Sequence, residues 1–116
     1  MAIPASVRDD ALRHVVLFCE NHIPEHARDE VRLEHAIRGH HIAIVERRPP
    51  WSELARPEWS STNIAQLRYD ERLRTWSLYA ADRNDRWFPY DDVGPKADVG
   101  PLLAEIADDP TGSFWG

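Results

Sequence analysis

The sequence predicts a single α+β domain, with an antiparallel sheet of about five strands between an N-terminal and a C-terminal helix. Three observations lead to this prediction: helix-period apolar residues at both ends of the chain, alternating apolar residues between them, and turn residues that separate the alternating segments. A chain of 116 residues fits one domain. If both helices cover one face of the sheet, the other face is left open.

The first element is a helix predicted over residues 6–22. Ser6 followed by Asp9 resembles a capping box, in which side chains satisfy the first free N–H groups. Pro24 then ends the helix, because proline has no N–H to donate. The apolar residues recur at helical spacing and predict one buried face: Val7, Ala11, Leu12, Val15, Val16, Phe18 and Cys19.

Residues 31–37 and 41–48 alternate as two strands of a hairpin. We expect a two-residue turn at 38–39, which places Leu33 opposite Ile44. One face would carry Val31, Leu33, Ile37, Ile42 and Ile44. The other would carry Arg32, Glu34, Ala36, Ala43, Val45 and Arg47.

The segment 49–62 is predicted to be a loop with three prolines and two tryptophans. Pro49 and Pro50 end the preceding strand, because neither can donate a hydrogen bond to a neighbouring strand. Trp51 is the first residue positioned by these stiff prolines, so we expect it to anchor against the sheet or a partner. Glu46 is expected to pair with a nearby arginine.

A second meander is predicted from strands over 63–69, 74–81 and 86–90, separated by polar turns. Alternation assigns one set of side chains to the core: Ala65, Leu67, Trp76, Leu78, Ala80 and Trp87. It assigns another set to the open face: Gln66, Arg68, Ser77, Tyr79, Phe88 and Tyr90. The last helix is predicted over 98–108, and we expect Phe114 and Trp115 beyond it to dock on the domain.

Composition narrows the class of protein. The net charge of −6 weighs against non-specific binding to nucleic acid, although thirteen of the fourteen basic residues are arginine, which favours flat, stacked contacts. The single cysteine, Cys19, excludes an internal disulfide and is expected to be a buried, unreactive thiol. No signal peptide and no membrane span is recognisable, so we expect a cytoplasmic protein without a membrane partner.

No catalytic residue, metal or cofactor is predicted. His22 and His26 have helical spacing for a metal, but Pro24 interrupts that helix. A Mg²⁺-dependent nuclease could use Glu34, Glu46 and Asp91. However, such nucleases follow the glutamate with a lysine, and this chain has arginines that stay protonated.

The predicted contact surface combines arginine with aromatic residues. Protein interfaces favour this chemistry, and platforms that stack unpaired bases use it too. We expect a protein partner or a homodimer rather than nucleic acid, with a single-strand binder or Mg²⁺-dependent nuclease as the alternative. A third possibility is that the 49–62 loop and the tail cover the face. The predicted binding residues are Arg47, Arg48, Trp51, Arg68, Tyr79 and Tyr90.

Four segments together carry a family resemblance: "IPEHARDEVRLEHAIRG", "IVERRPPW", "AQLRYDERLRTWSLYAADRNDRWFPYDD" and "LLAEIADDPTGSFWG". They resemble a family of small, mostly bacterial proteins catalogued as domain of unknown function 3024. The likeness covers residues from about 10 to 116, and "ERRPPW" and the "DPTGSFWG" ending are its most specific parts. It implies no activity, ligand or catalytic residue, so it assigns no site.

Overall fold

The computed structural model describes residues 2–50 and 58–116 and has the predicted α+β architecture, a five-stranded antiparallel sheet with a helix before it and a helix after it. The strands are hydrogen-bonded in chain order, from β1 to β5. The helices are α1 (Ala5–His22) and α2 (Gly100–Asp108), and the strands are β1 (Arg32–Arg38), β2 (His41–Arg48), β3 (Ser60–Asp70), β4 (Thr75–Ala81) and β5 (Trp87–Pro89).

Helix α1 begins differently from the prediction. Pro4 is its N-cap residue, with φ −54° and ψ 140°, and no side chain of the described residues caps the first turn. The Pro4 carbonyl accepts the first helical hydrogen bond, from the N–H of Arg8 at 2.9 Å. The predicted capping role of Ser6 is therefore wrong: the N-cap residue is Pro4, two residues before Ser6, so Ser6 lies within the first turn.

Both helices pack on the same face of the sheet. Their buried side chains and those of every second sheet residue form one hydrophobic cluster, and Trp76 at its centre is 1% exposed. The cluster includes Ala11 and Val15 of α1, Leu102, Leu103 and Ile106 of α2, and Leu33, Ile42, Ile44, Ala65, Leu67, Trp76, Leu78 and Ala80 of the sheet. Burial of these side chains is the main stabilising contribution to the fold.

The first hairpin has a different register from the predicted one. Its turn consists of Gly39 and His40, so Leu33 lies opposite Glu46 rather than Ile44. Gly39 adopts a φ of 53°, which glycine tolerates at the first position of a hairpin turn. The register moved by two residues, and because strand side chains alternate with period two, every side chain keeps its predicted face.

Strand β3 contains an irregularity that the alternation does not reveal. Its register against β2 shifts between Ile44, which lies opposite Ala65, and Val45, which lies opposite Asn63. The extra residue is Ile64, which is buried. This β-bulge adds one apolar side chain to the core and shifts the alternation by one residue, so Asn63 lies on the face opposite to Ala65.

The orientation of β5 is opposite to the prediction. Phe88 lies opposite Ala80, and the N–H of Tyr90 donates to the Leu78 carbonyl at 2.9 Å. Phe88 and Tyr90 therefore project to the helix side, and Trp87 projects to the other face. The period-two pattern predicted the wrong faces for β5 because the turn before this strand sets its register against β4.

That turn is organised by Asp82. Its carboxylate accepts hydrogen bonds from the N–H groups of Asn84, at 2.8 Å, and Arg86, at 3.0 Å. Asp85 within it has a φ of 66°, a left-handed conformation that aspartate tolerates better than most residues.

The C-terminal tail docks on both helices, which confirms the expectation for Phe114 and Trp115. The Asp109 carboxylate accepts from the N–H groups of Phe114, at 3.1 Å, and Trp115, at 2.9 Å. The Trp115 indole N–H donates to the Ile106 carbonyl at 2.7 Å, and its ring stacks on His22 at 4.5 Å between centroids. Among the described residues, neither helix has the length and apolar character needed to cross a membrane.

Candidate binding surface

The sheet face opposite the helices is the candidate surface, here called the open face. The strand register and the burial of the alternate residues define its members. They are Arg32, Glu34, Ala36, Arg38, His41, Ala43, Val45, Arg47, Ser61, Asn63, Gln66, Arg68, Asp70, Thr75, Ser77, Tyr79, Ala81, Trp87 and Pro89.

At the end of the open face near the β1–β2 and β3–β4 turns, Arg68 is held in one position. Its Nε donates to Oε1 of Gln66 at 2.5 Å, and its Cζ lies 3.7 Å from the centroid of the Tyr79 ring. Gln66 is only 3% exposed, although neither α1 nor α2 covers this face. A guanidinium fixed by a buried amide and an aromatic ring loses little further conformational entropy when it binds a ligand.

This end of the open face is also positively charged. Arg38, His41 and Arg68 lie opposite one another on three adjacent strands. Burial lowers the pKa of His41, and the neighbouring His40, Arg68 and Arg38 lower it further. The His41 imidazole is therefore mostly neutral at pH 7, and the positive charge at this end comes from Arg38 and Arg68.

At the opposite end, Arg32 and Arg47 lie directly across from each other on β1 and β2. Two cations in these positions would repel, but each has its own partner. The Arg32 guanidinium lies 4.4 Å from the centroid of the Trp59 ring, and Nη1 of Arg47 lies 3.7 Å from Oε1 of Glu34. Within the described residues, the buried Nε of Arg47 has no hydrogen-bond partner.

Small apolar side chains separate the two arginine-rich ends. Ala36, Ala43 and Val45 lie on β1 and β2 between them, with Ala36 opposite Ala43. Ala36 is exposed, and Ala43 and Val45 are half-buried. The open face therefore has an apolar middle with arginines at both ends.

The structure places three of the six predicted binding residues on the open face: Arg68 and Tyr79 in contact at the turn end, and Arg47 at the opposite end. Arg48 projects to the helix side, where its Nε donates to Oε1 of Glu46 at 2.8 Å. This contact confirms the predicted pairing of Glu46 with an arginine. The predicted site residue Trp51 lies outside the described residues.

The placement of Tyr90 on the open face is a wrong prediction. Its side chain is 6% exposed, lies on the helix side, and packs on Phe114 with 4.9 Å between ring centroids. A buried ring cannot contact a partner without rearrangement of the core. The cause is the turn before β5, which reverses the expected alternation.

Sequence reasoning did not select Arg32, Arg38, His41 and Trp59, although the structure places them with the site. The alternation already assigned Arg32 to the face of Arg47. The missing information was the strand order, because chain-order pairing is what brings Arg38 beside Arg68 through His41.

The carboxylates of the nuclease alternative do not converge. Glu34 and Glu46 project to opposite faces, and each is paired with an arginine. Over residues 2–50 and 58–116, no three histidine, cysteine, aspartate or glutamate side chains form a group able to hold a metal ion. Burial and the charge of Glu20 raise the pKa of the Cys19 thiol to about 11, so this half-buried thiol is protonated at pH 7.

A cavity of about 620 Å³ lies at the turn end of the open face. It is bordered by side chains that include cationic, hydroxyl and aromatic groups. Its lining consists of Ala2, His40, Arg68, Tyr69, Asp70, Glu71, Arg72, Ser77 and Tyr79.

Comparison with known proteins identifies the family and no function. No curated protein matches the chain. No solved structure matches it either. The model of one family, described as Domain of unknown function (DUF3024), matches residues 3–116, and the chain belongs to this family.

Proposed function

We propose that this chain is a non-enzymatic binding protein that docks an acidic protein partner on its open face. The observation that carries the proposal is the apolar middle of that face, bordered at both ends by arginines. Specific protein interfaces have this anatomy, with a desolvated apolar centre, a polar rim, and arginine and aromatic residues enriched.

The charge distribution supports an acidic partner. The open face carries four arginines, Arg32, Arg38, Arg47 and Arg68, against two acidic residues, Glu34 and Asp70, in a chain whose net charge is −6. An acidic surface would complement this face and speed association. Two copies docked symmetrically through the same face would bring like charges together, so a different protein is favoured over a homodimer.

The edges of the sheet are less suited to docking than its face. The outer strand β1 carries Arg32, Glu34 and Arg38, and charged side chains on an edge oppose the addition of another strand. The other edge, β5, has three residues and includes Pro89. The partner is therefore expected to contact side chains of the face rather than extend the sheet.

A single-stranded nucleic acid is the second candidate, because Arg68 stacked on Tyr79 resembles a base-stacking platform. The arginine spacing favours protein instead. Arg32 and Arg38 lie at the two ends of β1, roughly 20 Å apart at about 3.4 Å per residue, with apolar residues between them. A continuous phosphate backbone would call for a continuous cationic stripe.

The test is affinity capture from extracts of the source cells, with and without nuclease, using three purified forms of the protein. One is wild type, one carries the open-face changes Ala36→Glu and Arg38→Glu, and one carries the matched changes Ala104→Glu and Arg83→Glu. All four positions are exposed, and the matched pair lies outside the open face. Circular dichroism checks that the variants are folded.

We expect wild type to capture a partner protein, and nuclease treatment should not prevent this capture. The matched variant should capture the same protein, and the open-face variant should not. Titration of that purified protein should show weaker binding at higher salt concentration. Capture that disappears with nuclease would favour the nucleic-acid candidate. Equal capture by both variants would exclude the open face, and a wild-type dimer by light scattering that only the open-face variant dissociates would identify a homodimer.

We further propose that binding takes place in the cytoplasm. The single cysteine, held as a protonated thiol, supports a location that does not require disulfides. Fractionation of source cells with an antibody against the chain tests this location.

A further inference from the structure

We infer that the cavity at the turn end of the open face binds a small organic phosphate of nucleotide size, in which a phosphate is joined to a flat ring. This site goes beyond the proposed docking of a protein. It shares Arg68 with the open face but has a cavity with aromatic lining, which docking of a protein does not require.

The cavity is large enough for such a ligand. Its volume of about 620 Å³ lies within the range of roughly 300–1,000 Å³ that is usual for small-molecule sites. Its lining combines apolar surface from Ala2, Tyr69 and Tyr79 with a few polar groups. Ligand sites typically have this composition, because apolar walls provide affinity and a few polar groups set orientation.

Arg68 is the group best placed to hold an anion. Gln66 engages its Nε and Tyr79 lies under its plane, which leaves the terminal Nη groups to donate. In the described part of the chain, no carboxylate forms a salt bridge with Arg68. A guanidinium that is fixed in place but carries no internal counter-ion is suited to a charged ligand.

Several further donors favour phosphate over a carboxylate. His40, Arg72 and the hydroxyl of Ser77 line the same cavity, and Ser77 lies opposite Arg68 in the sheet. A phosphate offers three oxygens to such a set of donors, whereas a carboxylate offers two. The adjoining cation of Arg38 adds to the attraction.

The two lining carboxylates do not cancel this attraction. Oδ1 of Asp70 accepts from the backbone N–H groups of Arg72, at 2.9 Å, and Leu73, at 3.2 Å, so it is committed to the turn. Glu71 is exposed and can accept a hydroxyl or amino donor of the ligand. The flat ring would lie against the aromatic lining, where stacking on tyrosine is favourable.

Isothermal titration calorimetry tests this site with AMP, adenosine, inorganic phosphate and a short single-stranded oligonucleotide. We expect AMP to bind more tightly than about 1 mM and to bind at least about tenfold more tightly than adenosine or phosphate alone. Arg68→Gln and Arg72→Gln should each weaken AMP by about tenfold. Arg83→Gln, at an exposed position in the turn between β4 and β5, is the matched control and should leave binding unchanged.

Arg72 is exposed in a turn, so its replacement keeps the test valid if Arg68→Gln fails to fold. No binding of AMP at 25 °C up to about 10 mM, or equal weakening by Arg72→Gln and Arg83→Gln, would overturn the site. Tighter binding of the oligonucleotide than of AMP would also overturn it, in favour of a single-strand binder. Failure of AMP to bind leaves the protein-capture result unaffected, so the two proposals are distinguishable.

Discussion

The hydroxyl of Tyr90 donates a 2.6 Å hydrogen bond to Oε2 of Glu105, which ties the end of the sheet to α2. The hydroxyl of Thr111 donates to the same Tyr90 oxygen at 3.3 Å. The Tyr90 ring packs on Phe114 in the tail. Tyr90 thus connects the sheet, α2 and the tail, so its role is to stabilise the fold rather than to bind a partner.

Tyr90→Phe is expected to lower the free energy of unfolding by about 1–2 kcal/mol, because the Glu105 carboxylate loses a charge-assisted donor. Urea unfolding at pH 7 measures this change. Tyr79→Phe is the matched control on the open face, where we expect a change below about 0.5 kcal/mol. Equal losses in the two variants would contradict the role given to the Tyr90 hydroxyl.

Asp109→Ala is expected to lower the free energy of unfolding by about 2 kcal/mol. The change removes the acceptor for two tail N–H groups and places alanine at a φ of 44°, where a β-carbon is unfavourable. Asp109→Asn keeps one acceptor and tolerates the left-handed conformation, so it should cost less. Asp108→Ala, at an exposed position, is the control, and the prediction fails if it costs as much as Asp109→Ala.

The rate at which iodoacetamide alkylates Cys19 is expected to rise with pH as the thiol ionises. The pH dependence should give a pKa of about 11 in the native protein and about 9 in urea, because burial and Glu20 disfavour the native thiolate. The unfolded thiol therefore ionises first as pH rises. The contribution of Cys19 to the free energy of unfolding is fully present below pH 9 and is lost as the pH rises from 9 to about 11. Cys19→Ala should show a smaller fall in the free energy of unfolding over that range, and an equal fall would contradict this linkage.

The Gln66→Leu variant tests whether Gln66 positions Arg68 for binding, because it should change AMP affinity while changing stability little. The leucine fills a similar volume, and the half-buried Arg68 can turn its Nε to water, so we expect the free energy of unfolding to change by less than about 1 kcal/mol. AMP should nevertheless bind about tenfold more weakly, because the guanidinium is no longer fixed. Unchanged AMP affinity would show that Gln66 does not position Arg68.

Most of the fold could be predicted from periodicity. The helix predicted over 6–22 is α1 at Ala5–His22, and the helix predicted over 98–108 is α2 at Gly100–Asp108. Each has an apolar stripe at helical spacing, and the stripe depends only on the residues themselves. The side-chain faces of β1 and β2 were also correct, although the turn was displaced by one residue.

The errors arise where a side chain or an extra residue resets the alternation. Asp82 organises the turn before β5 and reverses the face of Tyr90, and the bulge at Ile64 interrupts β3. Neither the turn conformation nor the bulge can be recognised from the order of apolar and polar residues in the sequence. The fixing of Arg68 by Gln66 depends on strand order and three-dimensional contacts, so residue spacing alone does not predict it.

The chain-order pairing of the strands has a consequence for folding kinetics. Each strand pairs with the strand next to it in sequence, so only short connecting segments are closed when the sheet forms. The entropy cost of loop closure is therefore small. Stacking of His22 on Trp115, in contrast, joins segments far apart in the chain. We therefore expect the meander to form early and quickly, and attachment of the tail to α1 to be a late step of folding.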